Sequence, residues 1–169
     1  MTSMKALLAA DPDVRVIHLL RDPRAVVSSR LHTRDMSIVG HYSLTNLSFN
    51  SSDAVRREAA VYCRTAVRDI RVRRHLETMY PGRILTLHYE DIAADLDRHA
   101  FLVYHFLGIE TPHETIVWIR QNDMTTNYAH QSGYLSPLEK WTKRLATADS
   151  DAIASDICRE YFRLSGYHK

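Results

Sequence analysis

Residues 14–30, VRVIHLLRDPRAVVSSR, pass from a strand to a helix with almost no connection between them. Val14, Val16, Ile17, Leu19 and Leu20 are β-branched or apolar, the pattern of a strand buried in a parallel sheet. Asp22 suits an N-cap and Pro23 the first helical position, so the helix is expected to start as soon as the strand ends. Such a junction leaves backbone N–H groups and the positive end of a helix dipole at the carboxyl edge of the sheet, where they favour an anion. Arg21 and Arg24 bracket it with guanidinium forks able to grip an oxyanion at two points. On a helix Ser29 lies nearly below Asp22, so its hydroxyl can line the same groove. These residues point to an anion site, with phosphate as the natural occupant. A capped helix with solvent-exposed arginines is the alternative they allow.

Around this junction the chain reads as α/β. Residues 4–10 are expected to form a short helix, closed by the turn Asp11-Pro12-Asp13. Residues 34–50 are polar and irregular, a loop long enough to face a substrate. Ser52 or Asp53 can cap a long helix reaching about Met79, with Val55, Ala59, Tyr62, Ala66 and Ile70 as its buried stripe. Its other faces carry Arg56, Arg57, Arg64, Arg68, Arg71, Arg73 and Arg74, a run able to attract an anionic glycan or membrane surface but also consistent with a solvated face. Pro81-Gly82 stops this helix, and residues 83–88 make a second strand. A strand, a helical crossover and a second strand imply parallel pairing in a sheet flanked by helices. Tyr89-Glu90-Asp91 closes that strand, and residues 96–107 form an amphipathic helix ending at Gly108. Glu90 and Asp91 read as helix caps paired with nearby arginines before they read as acid–base groups. A helix over 113–121 with Trp118 packed follows, then a polar loop over 122–137. Ser136-Pro137 opens a helix through Leu145 containing Trp141, and Asp149 or Ser150 caps a final helix reaching Leu164 and closing at Gly166.

The run RDPRAVVSSR resembles the 3′-phosphate-binding segment of sulfotransferases that use 3′-phosphoadenosine 5′-phosphosulfate (PAPS), most of all the Golgi carbohydrate sulfotransferases of the galactose/N-acetylglucosamine/N-acetylgalactosamine 6-O type. The stretches LHYEDIAADLDRHAFLVYHFLGI and WTKRL…ICREYFRLSGY resemble the same family. The resemblance implies a partial P-loop-like α/β fold with a parallel sheet, PAPS as sulfuryl donor, a glycan or proteoglycan acceptor, and Golgi residence. It assigns the 3′-phosphate to Arg21 and Ser29, with Arg24 as a third cofactor-binding residue, and it requires no metal. A lumenal enzyme experiences oxidising conditions, so Cys63 and Cys158 are expected to pair, with α-carbons within about 7 Å.

Two departures qualify the likeness. The family holds the 5′-phosphosulfate with a basic Ser/Gly/Thr-rich loop upstream of Arg-Asp-Pro, and the residues before Val14 do not supply one. Residues 1–169 are therefore expected to be one sulfotransferase domain in its C-terminal part, inactive by itself, with the catalytic base elsewhere. The loop over 122–137 has no lysine or arginine, although Arg120 and Lys140 flank it.

The 169 residues carry a net charge of +2, too little to argue for nucleic acid. There is no membrane-span-length apolar run, and His99, His105 and His113 lack metal-ligand spacing. No Walker A loop, Rossmann glycine fingerprint or Gly-x-Ser-x-Gly elbow is present. Two rival readings remain open: a catalytically inactive phosphonucleotide- or anion-binding module, and another nucleotide-dependent transferase such as a P-loop kinase relative.

Overall fold

The computed structural model describes residues 2–32, 51–121 and 140–167. The loops expected over 34–50 and 122–137, and the helix start at Ser136-Pro137, lie outside the described residues. Elements run in the order α1 (Thr2–Ala10), β1 (Val16–Leu20), α2 (Pro23–His32), α3 (Ser52–Met79), β2 (Ile84–His88), α4 (Tyr89–Ala94), α5 (Leu96–Leu107) and α6 (His113–Gln121). A 3-10 turn (Lys140–Lys143), α7 (Thr147–Ala152), a π turn (Ile153–Ile157) and α8 (Arg159–Ser165) complete them. The result is a mostly helical α/β protein with a small parallel sheet flanked by helices. β1 and β2 pair parallel from Val16↔Ile84 to Leu20↔His88.

The chain divides into two compact units, Met1–Arg21 with Arg71–Leu138, and Asp22–Ile70 with Glu139–Lys169. In the sheet-bearing unit Leu8, Leu76 and Ile84 form a buried cluster, against which Met4, Val14, Val16, Val72 and Tyr80 pack. Arg83, just before β2, donates from Nε to the Val14 carbonyl at 3.0 Å and from Nη1 to the Leu8 carbonyl at 2.8 Å. Its Nη2 donates to the Asp11 carbonyl. One guanidinium thus ties the end of α1 and the start of β1 to β2.

β1 is covered on one face only: Leu20 is buried, whereas Ile17 is 42% and Leu19 53% exposed. The expected strand exists, but the run of apolar residues does not mean that both faces are covered. Trp118, expected to be packed, is 60% exposed on α6. Gly108 ends α5 as expected, at a φ of 74° that favours glycine, with the Ile109 N–H donating to the Tyr104 carbonyl at 3.1 Å.

In the second unit Ser51 caps α3, accepting from the Ala54 N–H at 3.3 Å. Val55, Ala59, Cys63, Val67 and Ile70 make the buried stripe, while Tyr62 and Ala66 are half-buried at its margin. A disulfide joins Cys63 to Cys158, with α-carbons 5.4 Å apart. Tyr161, with no exposed surface, has its ring centroid 6.0 Å from that of Tyr62.

The end of the chain departs from the single helix expected. α7 and α8 are separated by the π turn, where the Cys158 N–H donates to the Ile153 carbonyl at 2.9 Å. Asp149 does not cap. It lies in the first turn of α7, 5% exposed, where its carboxylate accepts from Ser52 Oγ at 3.0 Å and lies 3.8 Å from Arg56 Nε. The carboxylate is held by α3 across the unit, so it is not available to its own helix's amides.

Candidate functional site

Parallel, in-register pairing of Leu20 with His88 brings the next residues of both strands to the same carboxyl edge of the sheet. Those residues are Arg21 and Tyr89. The Arg21 guanidinium lies over the Tyr89 ring, 4.1 Å from its centroid, a cation–π contact that fixes where the positive charge stands. Ligands of open α/β sheets collect at this edge, outside the carboxyl ends of the strands. Tyr89 opens α4, with Glu90 and Asp91 in its first turn. Asp91 lies 3.5 Å from His88 Nδ1. The two carboxylates thus sit where a helix favours negative charge, and the base beside Asp91 is a histidine.

In the second unit the helix begins as its sequence indicates. Asp22 Oδ1 accepts from the Arg24 N–H at 2.8 Å, and the Asp22 carbonyl accepts from the Val26 N–H at 3.1 Å. The same carboxylate also takes the Arg24 side chain, with Nε at 3.0 Å from Oδ1 and Nη2 at 2.6 Å from Oδ2. The guanidinium further lies 4.4 Å from the Trp141 ring centroid and 5.5 Å from that of Phe162. Arg24 therefore has a neutralising partner and an aromatic seat within the fold, which makes it a clamp between the start of α2 and the C-terminal segments. Of the two serines later in α2, Ser28 is buried at 1% and Ser29 is exposed. The exposed one is the serine that the family resemblance leads one to expect at the phosphate.

Tyr89 is a candidate residue that its own stretch of sequence does not single out, since the carboxylates after it carry the stronger local signal. The signal that finds it is strand register: with β1 and β2 parallel and paired end to end, the residue after β2 must stand beside the residue after β1. Trp141 as the seat of Arg24 had no local signal. Among the described residues no cluster of His, Cys, Asp and Glu side chains is arranged to hold a metal ion, and no helix is long and apolar enough to cross a membrane.

The sulfotransferase family model matches residues 1–113, a span holding both strands, Arg21, Ser29 and Tyr89. The chain belongs to the sulfotransferase family. Carbohydrate sulfotransferase 3 of Homo sapiens is 30% identical over 173 residues, covering 95% of this chain and 35% of that protein. Carbohydrate sulfotransferase 1 of Mus musculus is 28% identical, with 95% of this chain and 41% of that protein covered. Carbohydrate sulfotransferase 5 of Homo sapiens is 31% identical over 144 residues, covering 78% of this chain and 32% of the relative. This sulfotransferase-family chain thus spans between about a third and two fifths of the length of these relatives. No solved structure matches it. Family membership separates the chain from the P-loop kinase alternative.

Proposed function

We propose that the chain supplies the nucleotide-holding part of a carbohydrate sulfotransferase of the Golgi, which moves a sulfuryl group from PAPS to a sugar hydroxyl. The observation that carries the reading is Arg21, held over Tyr89 at the carboxyl edge of the sheet and followed at once by the capped start of α2. In this reading Arg21 and Ser29 hold the donor's 3′-phosphate. The guanidinium supplies charge and a forked pair of donors, and the serine hydroxyl supplies a neutral hydrogen bond. Arg24 acts by fixing the helix start against Trp141, with its charge balanced by Asp22. The donor brings an activated sulfuryl group, and the chain's part is to position it for in-line attack, which is where much of the rate of such transfers originates.

The test is calorimetric titration of the chain with adenosine 3′,5′-bisphosphate and adenosine 5′-phosphate. Arg21→Ala should weaken the bisphosphate by roughly tenfold to more than a hundredfold, the range of a charged hydrogen bond, and leave the monophosphate unchanged. Equal weakening of both nucleotides, or no preference of the wild type for the bisphosphate, would remove the 3′-phosphate assignment.

A further inference from the structure

The long helix α3 is buried along one side and basic along the other. At about 100° per residue, Arg57, Arg64 and Arg68 fall within about 20° of one line on the helix surface, and Arg71 and His75 continue it. All are exposed, and the line lies opposite Val55, Ala59, Ala66 and Ile70. The carboxylates of α3 mostly answer other arginines: Glu58 takes Arg30 and Glu77 takes Arg73. Asp69 lies 3.6 Å from Arg68, whose side chain is still 71% exposed. Among the described residues no carboxylate pairs with Arg57 or Arg64. A chain whose net charge is only +2 thus concentrates exposed positive charge in one straight strip.

We propose that this strip docks a linear sulfated polysaccharide laid along the helix axis. Every cation of the strip proper is an arginine, and a guanidinium fork matches the oxygens of a sulfate ester. One exposed ion pair contributes little, so a strip of this kind acts through several contacts made by one chain, which a polymer provides and a free ion does not. A membrane fits less well. An interfacial helix inserts an apolar face, and the apolar side of α3 is already buried in the protein, with Val61 the large apolar residue exposed beside the strip. Single-stranded nucleic acid calls for aromatic side chains interleaved with the charge, and the line has none. The choice of a sulfated glycan as the polyanion rests on the proposed carbohydrate sulfation, whose product is such a chain.

The experiment compares wild type with R57Q/R64Q/R68Q and with a control of equal charge change, R144Q/R159Q/R163Q, at exposed arginines on elements other than α3. Binding to chondroitin sulfate, to neutral dextran and to phosphatidylserine-containing vesicles is measured across a salt series. Chondroitin sulfate should bind the wild type and dextran should not. The α3 triple should weaken chondroitin sulfate by about tenfold and flatten the dependence of affinity on salt, by roughly 0.7–0.9 in slope for each arginine that paired with the polymer. The control should change the affinity by less than about twofold. Equal losses in both triples, no salt-dependent binding by the wild type, or tighter binding to vesicles than to the polysaccharide would each overturn the proposal. The nucleotide titration keeps the two readings apart. Polysaccharide binding without bisphosphate binding would sink the enzyme reading and leave the strip standing, and the reverse outcome would sink only the strip.

Discussion

The two compact units keep their segments together by different means. The sheet-bearing unit has a small cluster around Leu8, Leu76 and Ile84, leaves Leu7, Ile17, Leu19 and Trp118 exposed, and draws α1, β1 and β2 together with the Arg83 guanidinium. The helical unit buries Val27, Ala59, Ile70, Ile153 and Tyr161 completely and adds a covalent bond between residues 95 apart in sequence. A guanidinium clasp on backbone carbonyls stabilises the folded state through hydrogen bonds that water can replace, so its net contribution is modest. A disulfide acts mainly on the unfolded chain, restricting it whether or not the native contacts have formed. Reducing conditions should therefore act on one unit and leave the other's stabilising contacts unchanged.

The largest expected effect comes from Cys63→Ser with Cys158→Ser. Stability to denaturant should fall by about 2–5 kcal/mol, the usual cost of removing a native bridge across a long loop. Hydrogen exchange should show the loss in α8 and in the first half of α3, with β1 and β2 keeping their protection. Equal deprotection of the strands would break the comparison, because it would make the two units one cooperative block.

Next in size is Arg83→Ala, expected to cost about 1.5–3 kcal/mol by removing charged hydrogen bonds to backbone carbonyls. Circular dichroism should show the loss as fraying of α1. Arg83→Lys should recover little, since an ammonium lacks the planar fork that reaches several carbonyls together. Full rescue by lysine would mean that charge alone, and not the fork, holds the segments.

Tyr89→Leu should weaken adenosine 3′,5′-bisphosphate by about three- to tenfold, the range of a partly exposed cation–π contact. Tyr89→Phe should stay near wild type, because the ring is kept. If phenylalanine behaved like leucine, the tyrosine hydroxyl would be the operative group and the ring's hold on Arg21 incidental.

The smallest effects separate neighbouring serines. Ser29→Ala should cost about fivefold in bisphosphate affinity, as for one neutral hydrogen bond. Ser28→Ala should leave affinity unchanged and show itself, if anywhere, in the melting temperature, since Ser28 is buried at 1%. A binding loss for Ser28→Ala equal to that for Ser29→Ala would reassign the hydroxyl.

The features legible in the amino-acid order were local. Asp22 before Pro23 set the start of α2, Gly108 the end of α5, and apolar spacing the strands and long helix, with bounds that the structure reproduces within a residue or two. Such signals depend on neighbours a few residues away, where backbone sterics and capping bonds act in any context. The family likeness rested on the same local runs. Tertiary folding settled how those pieces were used. It seated Arg24 on Trp141, set Tyr89 beneath Arg21, turned Asp149 toward Ser52, and left one face of β1 exposed. Each of these contacts joins residues some 70 to 120 positions apart or depends on what covers a face, and neither is encoded in a short window. Charge and hydrophobicity along the chain state what each residue can do. Chain closure, through the register of two strands and the packing of α3, determines which of those capacities meet.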